Sequence, residues 1–81
     1  MRKPAIGVFV IDDQEIVRTA FAGVFSRDSR LKLVGAASGF GEAVELVPKA
    51  QPDVVVTEVL LPGFDGLELV RWLDRLKPRP T

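Results

Sequence analysis

Apolar and polar positions along this chain keep changing period, and the changes mark its elements. Residues 5–11, AIGVFVI, are a continuous apolar run between Pro4 and Asp12. That is the pattern of a strand buried on both faces. From 14 to 27 the spacing becomes helical: Ile16, Val17, Ala20, Phe21, Val24 and Phe25 form one apolar stripe. Asp12 or Asp13 is placed to cap this helix, whose first N–H groups need acceptors. Residues 31–37, LKLVGAA, read as a second strand, and Lys32 within it suits a sheet edge. Ser38 and Gly39 make a turn. Ala43, Val44, Leu46, Val47 and Ala50 then predict an amphipathic helix over 41–50. Pro48 lies inside it and is expected to kink it or end it early.

Residues 53–61, DVVVTEVLL, are the most β-branched run and predict a third strand, broken by Pro62-Gly63. Asp65 followed by Glu68 resembles a capping box and opens a third helix. Leu69, Val70, Leu73 and Leu76 are its core stripe, Trp72 stands on the flank, and the helix stops before Pro78. The order β-α-β-α-β-α makes an α/β fold with a parallel sheet and right-handed crossovers. Ligands of such sheets sit beyond the carboxyl ends of the strands.

Composition narrows the chemistry. With 81 residues the chain is one small domain or part of one. Eleven basic and eleven acidic residues cancel, so no field draws it to nucleic acid or membranes. It has no Cys, His or Tyr, which removes disulfides, thiolate or imidazole metal sites and His-assisted nucleophiles. The lack of cysteine fits a reducing, cytoplasmic setting. The apolar runs are too short to span a bilayer. The N-terminal run ends at two aspartates with no small-residue cleavage site, which argues against a signal peptide.

The strand ends carry the candidate chemistry. The first strand ends in Asp12-Asp13 and the third in Thr57-Glu58. If these strands are neighbours, three carboxylates converge on one rim and repel unless a cation is bound. Such hard oxygen ligands suit Mg2+. Simpler roles compete: helix capping for Asp12 and Asp13, a solvated acid for Glu58, and turn chemistry for Pro62-Gly63 and Asp65-Gly66. Arg71, Arg75, Lys77 and Arg79 read as a solvated helix face and tail. Trp72 reads as packing or a partner contact. Gly39-Phe40-Gly41 lacks the third glycine of a phosphate loop.

The segments VFVIDD, PDVVVTE and LLPGFDG, in this order and spacing from about Ala5 to the C-terminus, resemble the receiver domain of two-component response regulators. The resemblance extends to receivers of the chemotaxis and NarL/FixJ types. It implies a doubly wound, flavodoxin-like sheet of order 2-1-3-4-5, of which residues 1–81 would be a truncated first half with strand order 2-1-3 and no second domain. It implies that position 58 is the phospho-acceptor, an aspartate in the family, and that Asp12 and Asp13 are the acidic pair that holds Mg2+. The backbone carbonyl of Leu60 would be the third protein ligand. This chain carries Glu58 instead, whose extra methylene changes the attack geometry. The family's fourth-strand hydroxyl and fifth-strand lysine have no counterpart here.

These features predict a non-catalytic signalling module of a response regulator whose parent is a transcriptional regulator. It would act by self-association or partner binding, with at most weak Mg2+ binding at Asp12, Asp13, Glu58 and Leu60. The third strand lacks a fourth beside it, so a homodimer is expected through Val54, Val55, Val56, Thr57 and Val59. A histidine kinase or other regulators are further candidate partners; nucleic acid and membrane are not. Two alternatives remain: an Mg2+-dependent phospho-acceptor with altered chemistry, and an inhibitor of full-length regulators by surface mimicry.

Overall fold

The computed structural model describes residues 5–61, 63–77 and 79–81. Pro4, Pro62 and Pro78, read above as element boundaries, lie outside the described residues. Strand β1 spans Ile6–Ile11, helix α1 Glu15–Phe25, strand β2 Leu31–Ala37, helix α2 Phe40–Ala50 and strand β3 Val54–Thr57. Two short strands follow, β4 (Leu60–Leu61) and β5 (Phe64–Asp65), and then helix α3, Gly66–Asp74. The parallel sheet has the order β2-β1-β3, as expected.

The third strand is shorter than its apolar run. Residues 53–61 were expected to continue as one strand, but the chain leaves the sheet after Thr57. Leu60 and Leu61 instead pair antiparallel with Asp65 and Phe64. Gly63 carries a φ of 70° in the hairpin between them, a left-handed conformation that glycine takes without steric cost. Apolarity alone does not separate one long strand from a strand plus hairpin.

The crossovers set α1 on one face of the sheet and α2 with α3 on the other. The principal core agrees with this arrangement. It joins Phe9 and Ile11 of β1, Ala37, Ala43 and Val47, and Leu61, Leu69 and Leu73. Phe9 and Ile11 are wholly buried, each contributing about 1.5–3 kcal/mol by leaving water. Phe9 needs room, and β2 supplies it. The register slips by one residue between Val8 and Phe9, a bulge at Val34 that brings Gly35 opposite Phe9. A Cβ at Gly35 would meet the Phe9 ring at 2.6 Å.

Three further expectations need correction. Neither Asp12 nor Asp13 is the N-cap of α1; Gln14 is, and its side chain makes no capping bond. Pro48 does not end α2 early, because the helix runs on to Ala50. Val70 was placed in the core stripe of α3, yet it is exposed, because only Leu69 and Leu73 turn inward with Gly66. Asp65 does cap α3, accepting the Leu67 N–H at 2.9 Å. The open edge expected on β3 is also partly closed. The Val55 N–H donates to the Thr81 carbonyl and the Thr81 N–H to the Asp53 carbonyl, both at 2.8 Å.

Candidate functional site

The parallel pairing of Ile11 with Thr57 puts the next residues, Asp12 and Glu58, side by side at the carboxyl rim. The Glu58 N–H continues the ladder, donating to the Ile11 carbonyl at 2.9 Å. Asp12 is anchored from two directions. Its N–H donates to the Ala37 carbonyl at 3.0 Å, and its Oδ1 accepts the Gln14 N–H at 2.9 Å. It is the one charged residue among the buried groups described, at 9% exposure. A buried carboxylate has to be hydrogen-bonded, and the Asx turn to Gln14 does this.

Asp13 points to solvent, and Glu58 is half-buried. The Glu58 carboxylate folds back to accept the Leu60 N–H at 3.1 Å. Asp12 makes the equivalent bond to the Gln14 N–H two residues ahead. Leu60, the candidate carbonyl ligand, is 82% exposed.

These donors have the chemistry for a hard divalent cation: carboxylate and carbonyl oxygens only. Their arrangement is another matter. Among the described residues no three acidic side chains are gathered as a metal group. Asp12 Oδ1 and Glu58 Oε1 are each engaged by a backbone N–H two residues ahead. Each carboxylate keeps its second oxygen outside these turns, so a cation could be held without releasing them.

The rim holds groups that periodicity did not single out. Arg18, on the first turns of α1, reaches back so that its Nη1 donates to the Asp12 carbonyl at 2.7 Å. It thereby ties the helix to the turn that carries the acidic pair. At the end of β2, the Ser38 hydroxyl and N–H both donate to the Glu42 carboxylate. These bonds, the hydroxyl first, hold Glu42 below the ordinary carboxylate pKa, with a smaller contribution from the charge of Arg18. The serine four residues before a first-turn glutamate was the available signal. Gly66 was missed as well. A Cβ there would lie 2.4 Å from the Val59 carbonyl oxygen, so the first turn of α3 packs directly on the backbone beside Glu58.

The five candidate interface residues divide. Val54, Val55, Val56 and Thr57 are half-buried in β3, whereas Val59 is 59% exposed beyond it. Among the described residues no helix is long and apolar enough to cross a membrane.

A sequence profile of the response regulator receiver domain matches residues 8–81. The chain is 43% identical over 68 residues to the DNA-binding transcriptional activator DevR/DosR of Mycobacterium tuberculosis, covering 84% of this chain and 31% of that protein. It is 30% identical over 81 residues to a protein-glutamate methylesterase/protein-glutamine glutaminase of Methanosarcina barkeri, covering 100% of this chain and 22% of that protein. The chain therefore spans less than a third of either curated relative. The signal receiver domain of the response regulator NarL from Mycobacterium tuberculosis superposes with a TM-score of 0.82 at 28% identity, over 98% of this chain and 63% of that one.

Proposed function

We propose, from the premise that this chain belongs to the response regulator receiver domain family, that it signals by contact and not by phosphoryl transfer. One observation carries this reading. The residue at the acceptor position is Glu58, and its carboxylate is turned back onto the Leu60 N–H instead of standing free beside Asp12. A nucleophile must reach its target at about 3–3.5 Å with the right alignment. Glu58 has a different length from the family's aspartate and an existing hydrogen bond to give up. On this reading the module is not an enzyme, and Mg2+ binds weakly at Asp12, Asp13, Glu58 and the Leu60 carbonyl.

The contact is self-association at the third strand. Thr81 already occupies its outer edge at Asp53 and Val55. A second copy would meet the remainder, from Thr57 to the exposed Val59 and Leu60. A parent that regulates transcription fits the relationship to DevR/DosR; a parent with an esterase domain fits the other relative. A histidine kinase remains the natural upstream partner.

The test is incubation with acetyl phosphate and Mg2+ followed by intact-mass measurement. The expected spectrum contains the unmodified chain alone. A stoichiometric phosphate adduct that disappears in Glu58→Gln would establish the altered-acceptor alternative in its place. Sedimentation at micromolar concentration tests the association, and a monomer at every concentration would sink it.

A further inference from the structure

Arg71 and Trp72 of α3 and its C-cap Arg75 lie three, four and seven residues after Glu68, so all four share one side of the helix. With Phe40, the first residue of α2, they line an open hollow of about 340 Å³. The hollow differs in chemistry from the carboxylates at Asp12 and Glu58, neither of which lines it. Its floor is aromatic. Trp72 meets Phe40 edge to face, with centroids 5.8 Å apart and an interplanar angle of 78°. Both rings pack from below against the principal core. The floor is therefore held in place before anything binds.

The walls are cationic. Arg71 and Arg75 are exposed. Arg75 Nε donates to the Arg71 carbonyl at 3.2 Å, which lays the guanidinium along the helix beside the hollow. The ion pairs found among the described residues are Asp28–Arg30 and Asp74–Arg79. Neither uses Arg71, Arg75 or Glu68. Two arginines against one glutamate leave the hollow with one net positive charge.

We infer that this α2–α3 hollow docks an acidic peptide segment of a partner protein, an apolar side chain seated on Phe40 and Trp72 and carboxylates paired with Arg71 and Arg75. Charge and shape together select this occupant. A free anion would leave the aromatic floor unused. A nucleic acid strand would meet Glu68, and the chain as a whole has no net charge to attract one. Arg and Trp are the residue types that most often dominate binding energy at interfaces. The arginine fork also matches a carboxylate bidentately.

Trp72 is the only tryptophan in the chain, so its emission reports on the hollow directly. The experiment titrates the full chain with a blocked peptide that alternates glutamate with leucine and phenylalanine. The control is the same peptide with glutamine for glutamate. The acidic peptide is expected to shift the emission saturably, and less so as salt rises. The double variant Arg71→Ala/Arg75→Ala should bind about tenfold more weakly or worse. Its circular dichroism and urea midpoint should stay unchanged, since both positions are exposed. An equal response to the glutamine peptide, saturation by acetate alone, or no response to any peptide would each overturn the inference. So would an emission change that follows protein concentration without peptide, because a second copy would then be the occupant.

Discussion

On the face covered by α2 and α3, Ala43, Val47 and Leu69 are fully buried; on the face covered by α1, no residue of the helix is. The strand between them hides this difference. Phe9 on one side and Val10 on the other are both sealed from water. The contrast lies in the helices. Val17, Phe21 and Phe25 of α1 lean on the sheet and are half-buried, with the two phenylalanine rings 5.6 Å apart. Ile16 and Val24, one step round the helix, stand 76% and 61% exposed with Ala20 between them. An apolar stripe tells which residues avoid water, but only a neighbouring element decides how much of it is covered. Two helices meet and share their load on one face, whereas a lone helix spends half its stripe on solvent.

The sharpest way to break this comparison is at the core of the better-filled face. Phe9→Ala should cost about 3–5 kcal/mol, because it leaves a cavity that the bulge at Gly35 cannot close. Val10→Ala should cost clearly less in the same urea titration. A loss at Val10 as large as that at Phe9 would show that the α1 face is the more tightly packed, since Val10→Ala removes far fewer atoms. Next come the helices themselves. Leu69→Ala should cost about 2–5 kcal/mol, while Ile16→Ala should stay within about 0.5 kcal/mol. A large loss at Ile16 would mean that its exposed ridge is covered in solution.

Gly66→Ala should come third, at about 1–3 kcal/mol, through overpacking against the Val59 carbonyl. Thermal unfolding of the variant is the measurement. The smallest effect is expected away from both faces, in the turn after α1. The Asp28 carboxyl is held at a pKa of about 2, first by its side-chain hydrogen bond from Arg30. A lowered folded-state pKa contributes stability that is present above the ordinary carboxylate pKa and lost as pH falls toward 2. The pair lies at the surface, with the Arg30 side chain 84% exposed, so the contribution is small. An NMR titration should place Asp28 near 2, and Arg30→Ala should return it to the ordinary range. An unchanged midpoint would remove Arg30 as the cause.

Much of the fold could be read in the residues. The unbroken apolar run of β1, the lysine that marks β2 as an edge, and the Asp65 cap are local signals, and the structure agrees with each. The end of β3 could not be read, because Val59, Leu60 and Leu61 look like strand whether they pair with β1 or with Asp65 and Phe64. The site divides in the same way. Asp12 and Glu58 stand at strand ends where the motif and the parallel order put them. Glu42 was signalled only by the serine four residues before it, and Arg18 acts by reaching back to the Asp12 carbonyl, which the apolar periodicity does not record. Gly66 matters through what lies opposite it, and that is a tertiary fact.

Gly66 also sets how movement can pass through the molecule. Between the first turn of α3 and the backbone at Val59 there is no side chain to bend or change rotamer. A displacement of the Glu58–Leu60 loop would be handed to α3 with nothing soft between them, as from one stiff rod to another. The far end of that rod carries Trp72 and Arg75. Chemical-shift changes at Trp72 on substituting Glu58, absent when Leu46 on the outside of α2 is substituted, would reveal such a linkage, and silence at Trp72 would show that the loop moves alone.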